Sequence, residues 1–264
     1  MDKLKTEDFN LDFTLSCGQV FRWSKDKEGF WHGFINGRIV KLRQSGDYLF
    51  YKGEAASTDI IKYFNLNIDY RNILRSISKD HLIRKAMKKY HGLRIIKQDP
   101  FECLATYILS SQNNIPRINK MVNELSVKFG KKIECEGREY HQFPTIQDLA
   151  GTCSADYHSC RLGFRNRYLE DAIKKLSTGE LMLDRIAKMP YQEAKTELLK
   201  VKGVGKKVAD CVLLFAYNKY EAFPVDRWIE RVMKKYYKGK EGSYFGKYAG
   251  YAQEFLYLFI RDSR

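Results

Sequence analysis

A lysine and an aspartate nineteen residues apart are the side chains of this sequence that are best suited to chemistry. Lys207 follows a Gly203-Val204-Gly205 turn, and Asp226 follows Phe223-Pro224-Val225. If both begin helices, the helix dipole and neighbouring lysines favour the neutral amine of Lys207, which is a nucleophile. A carboxylate facing it stabilises the oxocarbenium-like cation that forms as a base leaves a sugar C1′.

Each of these two side chains also has an ordinary interpretation. A lysine taken at random contacts a phosphate or solvent, and an aspartate at a helix start is an N-cap. The presence of Lys207 and Asp226 together favours catalysis, provided that the two helix starts lie side by side.

The segment that would position the lysine is a helix, a glycine hairpin and a second helix. One amphipathic run, Tyr191–Lys200, precedes the glycines, and a second, Val208–Tyr217, follows them. Glycine supplies the positive φ and close-approach positions that such a turn needs. Unpaired N–H groups and the positive end of a helix dipole favour an anion such as phosphate. Lysines at 200, 202, 206 and 207 add charge for the same partner.

Composition is consistent with a nucleic-acid partner. Lysine and arginine number 47 against 32 acidic residues, which gives a formal charge of +15, and 18 tyrosines and 16 phenylalanines accompany them. Cations neutralise phosphates and aromatic rings stack on bases. A merely basic surface explains the charge equally well, so the hairpin decides in favour of nucleic acid.

Other classes of protein are not indicated. No apolar run reaches the roughly 18 residues of a membrane span, and the start MDKLKTEDFN is too polar for a signal peptide. We therefore expect a cytoplasmic protein, associated with the nucleoid if the source is a prokaryote. The scattered cysteines contain no C-x-x-C pair, so we expect free thiols and no metal.

The first 97 residues are expected to form an antiparallel sheet followed by helices. From Leu11 to Lys52 the sequence is strand-like, with β-prone runs around 20–23, 30–35, 39–42 and 48–51. Asn36-Gly37 between two of these runs is the strongest short-range hairpin signal. Helical spacing begins at Ser57, and Asp80 and Gly92 are an N-cap and a C-terminal stop.

From residue 98 to 264 the pattern is helical throughout. Asp99-Pro100 caps a nearly continuous apolar helix, 101–110, and a polar segment, 111–117, ends it. That segment, with Gln112 and Asn113, is either a turn or a loop that presents hydrogen-bonding groups to a base. Further helices are expected over 117–129, from the Thr145 capping box to 150, over 167–176, and over 243–261.

Phe164 lies among arginines at a glycine turn, Arg161-Leu162-Gly163-Phe164-Arg165. An exposed phenylalanine beside arginines is costly unless it is buried or inserted into something, and a wedge between DNA bases is one such use. A core phenylalanine at a helix start is the alternative.

Several separate motifs resemble one family in the right order. The chain is similar to helix-hairpin-helix DNA glycosylases of the Gly-Pro/Asp type, and among them to 8-oxoguanine DNA glycosylases nearly from end to end. The similar segments are CGQVFRW (17–23), QDPFECLATYILSSQNNIPRI (98–118), YHQFPTIQDLAG (140–151), LGFRNRY (162–168), GVGKKVADC (203–211), PVDRW (224–228) and YAGYAQ (248–253).

The resemblance implies a role for each matching residue. Lys207 matches the lysine that displaces the damaged base, forms a Schiff base and allows β-elimination, and Asp226 matches its partner. The base would be flipped out of the duplex. Gly18 matches the glycine whose carbonyl accepts the N7–H that 8-oxoguanine has and guanine lacks. Gln253 matches the residue on the Watson–Crick edge, and the flipped ring would lie between Cys211 and Tyr257.

The opposite strand is read, by the same resemblance, by a second set of residues. Phe164 matches the aromatic wedge, normally tyrosine, and Arg117 and Arg165 match the arginines that read the orphaned cytosine. Gln112 replaces an expected asparagine, which puts selectivity for cytosine in doubt. Trp228 replaces a histidine near the DNA backbone and receives no role.

These observations predict a two-domain α+β protein: residues 1–97 as a sheet with helices, and residues 98–264 as an all-α helix-hairpin-helix domain, with the pocket between them. The expected function is bifunctional excision of 8-oxoguanine from double-stranded DNA, by a prokaryotic enzyme that acts as a monomer without a cofactor. Two alternatives stay open: a glycosylase for another damaged base with weak or no lyase activity, and a non-catalytic DNA-binding module.

Overall fold

The chain forms an antiparallel sheet with helices, followed by a mainly helical part, in the computed structural model, which describes residues 1–263. This is the α+β architecture that the sequence predicts. Its first elements are β1 Asp2–Lys5, α1 Leu11–Ser16, β2 Ser24–Lys25, β3 Trp31–Ile35, β4 Arg38–Ser45, β5 Tyr48–Gly53, α2 Ser57–Tyr63, α3 Tyr70–Ile77 and α4 His81–Lys89.

Helices dominate the rest of the chain, with one small hairpin among them. These elements are α5 Pro100–Leu109, α6 Ile115–Phe129, β6 Lys132–Cys135, β7 Arg138–His141, α7 Ile146–Leu149, α8 Asn166–Ser177, α9 Leu183–Lys188, α10 Tyr191–Leu199, α11 Lys206–Tyr217, α12 Arg227–Tyr236 and α13 Ala249–Arg261. Three 3₁₀ segments lie at Ser154–Cys160, Gly163–Arg165 and Gly242–Tyr248.

The sheet has the strand order β1-β5-β4-β3-β2, and every neighbouring pair is antiparallel. The predicted meander is confirmed for β3 to β5, whereas β1 and the two-residue β2 are unpredicted strands at the two edges of the sheet. Asn36 and Gly37 both have positive φ, 51° and 73°, and Ile35 pairs with Arg38 across them. This is the two-residue hairpin expected from Asn-Gly.

Residues 11–23 differ from the strand-like prediction. Leu11–Ser16 is a helix because Asn10 is its N-cap, with Oδ1 accepting the Phe13 N–H at 2.8 Å. The following segment is not a strand, although Val20 and Trp23 are buried. The Gln19 side chain bonds the carbonyls of Thr14 and Arg94 at 2.9 and 2.8 Å and the Ile96 N–H at 2.8 Å. Side-chain bonds thus take the place of a strand ladder.

Most predicted helix starts are confirmed by their caps. Asp80 and Asp99 accept N–H groups of the first turns of α4 and α5, and Thr145 and Asp148 form the capping box of α7. The helix predicted from Arg117 begins two residues earlier, at Ile115, because Asn114 caps it and Pro116 fits the first turn.

The last helix is shorter than predicted. Residues 243–248 belong to a 3₁₀ segment, and Gly246 interrupts it with φ 73° and ψ −152°. Only glycine adopts such a conformation readily, so α13 begins after it, at Ala249.

Two clusters of buried residues form the core. The smaller one joins the sheet to α1 and α2 and includes Leu15, Val40 and Ile60. The larger one joins α5, α11 and α13 to α3 and α4. A boundary at residue 97 stays a prediction, and helices on both sides of it share this larger core. None of the helices in the described chain is long and apolar enough to cross a membrane.

Candidate active site

The glycine hairpin between α10 and α11 presents a helix N-terminus to a large cleft. Gly203 has φ +82°, and a Cβ built on it would lie 2.3 Å from the Tyr168 ring. Gly205 is the N-cap of α11, and a Cβ there would meet nothing within 4 Å. Gly203 is therefore required by backbone conformation and packing, whereas Gly205 leaves the helix start open to a ligand.

Buried polar contacts hold the two hairpin helices together. Asp210 of α11 accepts a hydrogen bond from the Tyr191 hydroxyl at 2.6 Å and forms an ion pair with Lys195 Nζ at 2.7 Å. Tyr191 and Lys195 both lie on α10. The Lys202 N–H donates to Asp171 Oδ2 of α8 at 2.8 Å. These bonds fix the turn relative to three helices, so the N-terminus of α11 is preorganised.

Lys207 and Asp226 line the same cleft, which has a volume of about 1220 Å³. Lys207 lies in the first turn of α11, and its Nζ is 5.0 Å from the ring centroid of Tyr107. Asp226 is the N-cap of α12, with Oδ1 accepting the N–H groups of Trp228 and Ile229 at 2.9 and 2.8 Å. The two helix starts therefore face one space, which was the condition for the catalytic interpretation.

A smaller pocket of about 70 Å³ opens off this cleft. It brings together the six residues predicted for catalysis and for recognition of the base: Gly18, Lys207, Cys211, Asp226, Gln253 and Tyr257. These residues come from the loop after α1, from α11, from the start of α12 and from α13, so no single segment of the chain contains the site.

Gly18 occupies a position that suits only glycine. Its φ is +100°, and an added Cβ would lie 3.1 Å from Ile115 Cδ1 and 3.8 Å from the Tyr257 hydroxyl. The carbonyl of the next residue, Gln19, accepts hydrogen bonds from Gln98 Nε2 at 2.7 Å and from the Tyr107 hydroxyl at 3.1 Å. The backbone next to the predicted acceptor is thereby fixed by two hydrogen bonds to the same carbonyl.

Burial determines the ionisation of the side chains around the pocket. It raises the pKa of Cys211 to about 12 against the opposing effect of the Lys207 charge, and that of Tyr257 to about 12 with a contribution from Asp226. Both proposed faces of the base site are therefore neutral at pH 7. Burial also raises the pKa of Glu254 to about 7, and the neighbouring Cys17 thiol is the first of the groups that oppose this rise.

The polar loop between α5 and α6 borders the large cleft. Gln112 is exposed, has φ +48° and lines the cleft together with Asn113. The amide of Asn113 points back into the protein, with Nδ2 donating to the Leu109 carbonyl at 3.1 Å. Arg117 is exposed in the first turns of α6. Of these residues, Gln112 and Arg117 are accessible, whereas Asn113 is used to shape the loop.

Phe164 is exposed, with 47% of its surface accessible, so the interpretation of it as a core residue is wrong. Arg165 differs in a way that the sequence did not indicate, because it is only 3% exposed. Its Nε donates to the Ser111 carbonyl at 2.8 Å and its Nη2 to the Gln112 carbonyl at 2.9 Å. In this structure Arg165 therefore supports the loop behind Gln112, and its guanidinium lies 4.4 Å from the Phe164 ring.

Sequence reasoning missed several residues around the cleft. Arg227 and Arg231 of α12 line it, as does Trp228, which was noted in the sequence but received no role. Arg231 Cζ lies 5.3 Å from the Trp228 ring. Glu254 lines the smaller pocket and is 5% exposed. The available signal for Glu254 was its position beside Gln253 in an otherwise apolar helix, where a charged residue needs a reason to be buried.

Comparisons with known families cover nearly the whole chain. Residues 3–104 match the family model of the 8-oxoguanine DNA glycosylase N-terminal domain. Residues 105–244 match that of the HhH-GPD superfamily base excision DNA repair proteins.

Individual proteins are similar over most of their length. The N-glycosylase/DNA lyase OGG1 of Arabidopsis thaliana is 29% identical over 97% of this chain and 78% of its own. The N-glycosylase/DNA lyase of Saccharomyces cerevisiae is 32% identical over 85% of this chain and 67% of its own. The apo-form structure of Clostridium acetobutylicum 8-oxoguanine glycosylase/lyase has a TM-score of 0.91 and 35% identity, and covers 98% of both chains. That enzyme has also been solved with double-stranded DNA containing cytosine opposite 8-oxoguanine.

Proposed function

Since the chain belongs to the HhH-GPD superfamily of base excision DNA repair proteins and is a DNA N-glycosylase with AP lyase activity, we propose that its substrate is 8-oxoguanine in duplex DNA and that Lys207 performs both steps. The observation that carries this proposal is the placement of Lys207 and Asp226 in one pocket with Gly18 and Gln253. A non-catalytic DNA-binding module has no need of that arrangement.

The damaged nucleotide is flipped out of the duplex into the pocket, because its C1′ is inaccessible within the stack. The Gly18 carbonyl accepts the N7–H of 8-oxoguanine, whereas guanine would present a lone pair at N7. Gln253 faces the Watson–Crick edge, and the ring lies between the neutral side chains of Cys211 and Tyr257.

The chemistry begins with attack of the Lys207 amine on C1′. Asp226 stabilises the positive charge that develops on the sugar while the base departs with a proton. The C1′–O4′ bond of the covalent intermediate then breaks: the ring oxygen takes up a proton and becomes a hydroxyl group, and the nitrogen lone pair forms the protonated imine, the Schiff base, with C1′. Removal of a C2′ proton then expels the 3′ phosphate by β-elimination, which cleaves the strand.

The opposite strand is contacted by residues around the loop from 111 to 117. Phe164 is exposed and serves as the wedge in the gap that the flipped base leaves. Arg117 and Gln112 face the orphaned base, and Arg165 reaches it only if its bonds to the Ser111 and Gln112 carbonyls are released. Gly203 and Gly205 place the hairpin N–H groups against a phosphate. The protein acts on double-stranded DNA as a monomer.

Borohydride trapping tests the covalent step. The substrate is a labelled duplex with one 8-oxoguanine placed opposite each of the four bases in turn. Wild-type protein is expected to give a covalent band that Lys207→Gln lacks, and the band intensity across the four duplexes measures the selectivity that Gln112 permits.

Lys188→Gln is the matched control, because Lys188 is exposed in the distant helix α9 and should trap like wild type. Base release by wild type without a trapped band would leave a monofunctional glycosylase. Absence of both would contradict the proposed substrate.

A further inference from the structure

Glu254 is a buried carboxyl group in the base pocket that the chemistry proposed above does not use. It is 5% exposed and lines the small pocket together with Gln253, its neighbour on α13. Within the described chain, Glu254 Oε2 has no hydrogen-bond partner, and Gln253 Oε1 has none either. Buried polar atoms are nearly always paired. Because both residues line the small pocket, a ligand bound there with N–H groups would supply the donors that these two oxygens lack.

The surroundings of Glu254 act on its ionisation in both directions, and burial, the largest effect, raises its pKa and favours the neutral acid. The Cys17 thiol, which donates to the Thr14 carbonyl at 3.3 Å, and the positive charges of Arg261 and Lys207 oppose this effect and favour the ionised form. The charge of Asp226 acts in the opposite direction. A ligand that donates N–H groups would favour the ionised form of Glu254 and compensate for the burial of the carboxylate.

The edges of purines differ in the donors that they offer. Guanine carries two adjacent donors, N1–H and the 2-amino group, whereas adenine carries an acceptor at N1 and no donor at C2. The Gly18 carbonyl cannot make this distinction, because 8-oxoadenine also has an N7–H. The two oxidised purines must therefore be separated at their Watson–Crick edge, where Gln253 and its neighbour Glu254 line the pocket.

We propose that Glu254 is a specificity-determining residue whose carboxylate, beside the Gln253 amide oxygen, accepts an N–H group from the N1 and 2-amino edge of the flipped base. Glu254 thus selects guanine-type over adenine-type 8-oxopurines. The inference rests on the proposed function, since it concerns the base that enters the same pocket.

Equilibrium binding tests this proposal in the Lys207→Gln background, where the base stays attached to the sugar. Three duplexes are compared by fluorescence anisotropy: one with 8-oxoguanine, one with 8-oxoadenine opposite the same base, and one with a tetrahydrofuran abasic site. Glu254→Ala should weaken binding of the 8-oxoguanine duplex about ten- to a hundredfold, as expected for loss of a hydrogen bond to a charged group. The other two duplexes should bind as before.

Glu254→Gln should lose less, because it keeps the shape and one acceptor oxygen. Glu28→Gln removes an exposed carboxyl group from the turn before β3 and should change nothing. Unchanged binding of the abasic duplex shows that each variant is folded. Equal weakening on all three duplexes, or no weakening on any, would overturn the inference.

Failure of the proposed function is detected separately. If wild-type protein gives no trapped band but its preference for 8-oxoguanine over 8-oxoadenine depends on Glu254, the lyase proposal fails and the specificity proposal holds. If trapping succeeds and the preference is unaffected by Glu254→Ala, only the specificity proposal fails.

Discussion

Asp226 has a structural role that a single substitution separates from its chemical one. Its Oδ1 caps α12 through the N–H groups of Trp228 and Ile229, and asparagine caps equally well. Asp226→Asn should therefore keep the melting temperature of the wild type but lose the negative charge beside the sugar cation. We expect single-turnover base release to fall about 10²- to 10³-fold, the usual effect of removing one electrostatic contact to a transition state.

The matched control is Asp69→Asn, which changes the N-cap of α3 in the same way, far from the cleft. It should leave both melting temperature and base release unchanged. A normal rate for Asp226→Asn would show that the carboxylate serves only as a cap.

Glu254 makes the stability of the protein depend on pH in a predictable direction. Burial raises its pKa from 4.5 to about 7, so the folded state retains a proton that the unfolded chain has already released. This stabilising contribution is complete below about pH 4.5 and is lost as the pH rises to about 7. The upper limit of the effect is roughly 3 kcal/mol, from 1.36 kcal/mol per pKa unit.

Glu254→Gln cannot lose this contribution, because the amide does not titrate. Urea unfolding at pH 4.5 and pH 8 should show the variant gaining stability relative to wild type at the higher pH. Comparison of the two proteins cancels the other titrating groups. A difference that does not change with pH would mean that Glu254 titrates normally in the folded state.

At the level of elements, the hairpin glycines should respond differently to the same substitution. Gly203→Ala places a methyl group 2.3 Å from the Tyr168 ring at a positive φ, and the backbone conformation alone costs about 1–2 kcal/mol. Gly205→Ala has open space and φ −92°, so only the weaker cap, under about 1 kcal/mol, opposes it. However, the added methyl group stands where a phosphate would approach the N-terminus of α11.

Thermal unfolding and binding of undamaged DNA measure the two effects. Gly203→Ala should lower the melting temperature more, and Gly205→Ala should weaken DNA binding at nearly unchanged stability. Equal melting temperatures for the two variants would show that the turn is not constrained by Tyr168.

The elements that sequence analysis predicted correctly are those that local chemistry determines. Asp80, Asp99 and Thr145 bond to N–H groups within three residues, and Asn36-Gly37 needs only its own two positive φ angles. Residues 11–23 were mispredicted because their backbone is held by long-range contacts. The Gln19 side chain forms hydrogen bonds with the backbone of Arg94 and Ile96, about 75 residues away. Local sequence patterns do not predict such long-range contacts.

The same limit applies to the site. Lys207, Asp226 and Gly18 were found because a turn, a cap and a motif mark them in the sequence. The burial of Arg165 against the Ser111 and Gln112 carbonyls depends on how two loops meet. The position of Glu254 in the pocket likewise depends on the packing of α13 against α11 and the loop after α1.

For the whole molecule, the formal charge of +15 should dominate affinity but not selectivity. Binding of any duplex should fall steeply with salt, about 10³- to 10⁵-fold between 50 and 200 mM if six to ten phosphates are contacted. The pocket contacts to the base release no counterions. The ratio of affinities for 8-oxoguanine and undamaged duplexes should therefore be constant with salt.

Anisotropy titrations of the Lys207→Gln variant over this salt range give both quantities. Parallel lines of log affinity against log salt for the two duplexes are the expected result. Lines of different slope would mean that the flipped base brings additional phosphate contacts with it.

The ionisation of the two cysteines in the pocket determines how well the protein withstands oxidation. Burial raises the pKa of Cys211 to about 12 and that of Cys17 well above its ordinary value, so both remain thiols at physiological pH. Peroxides react with thiolates rather than thiols. Conditions that oxidise guanine in DNA should thus leave these two cysteines reduced, and Cys153, which is exposed and does not line the pocket, is the cysteine that a peroxide reaches most easily.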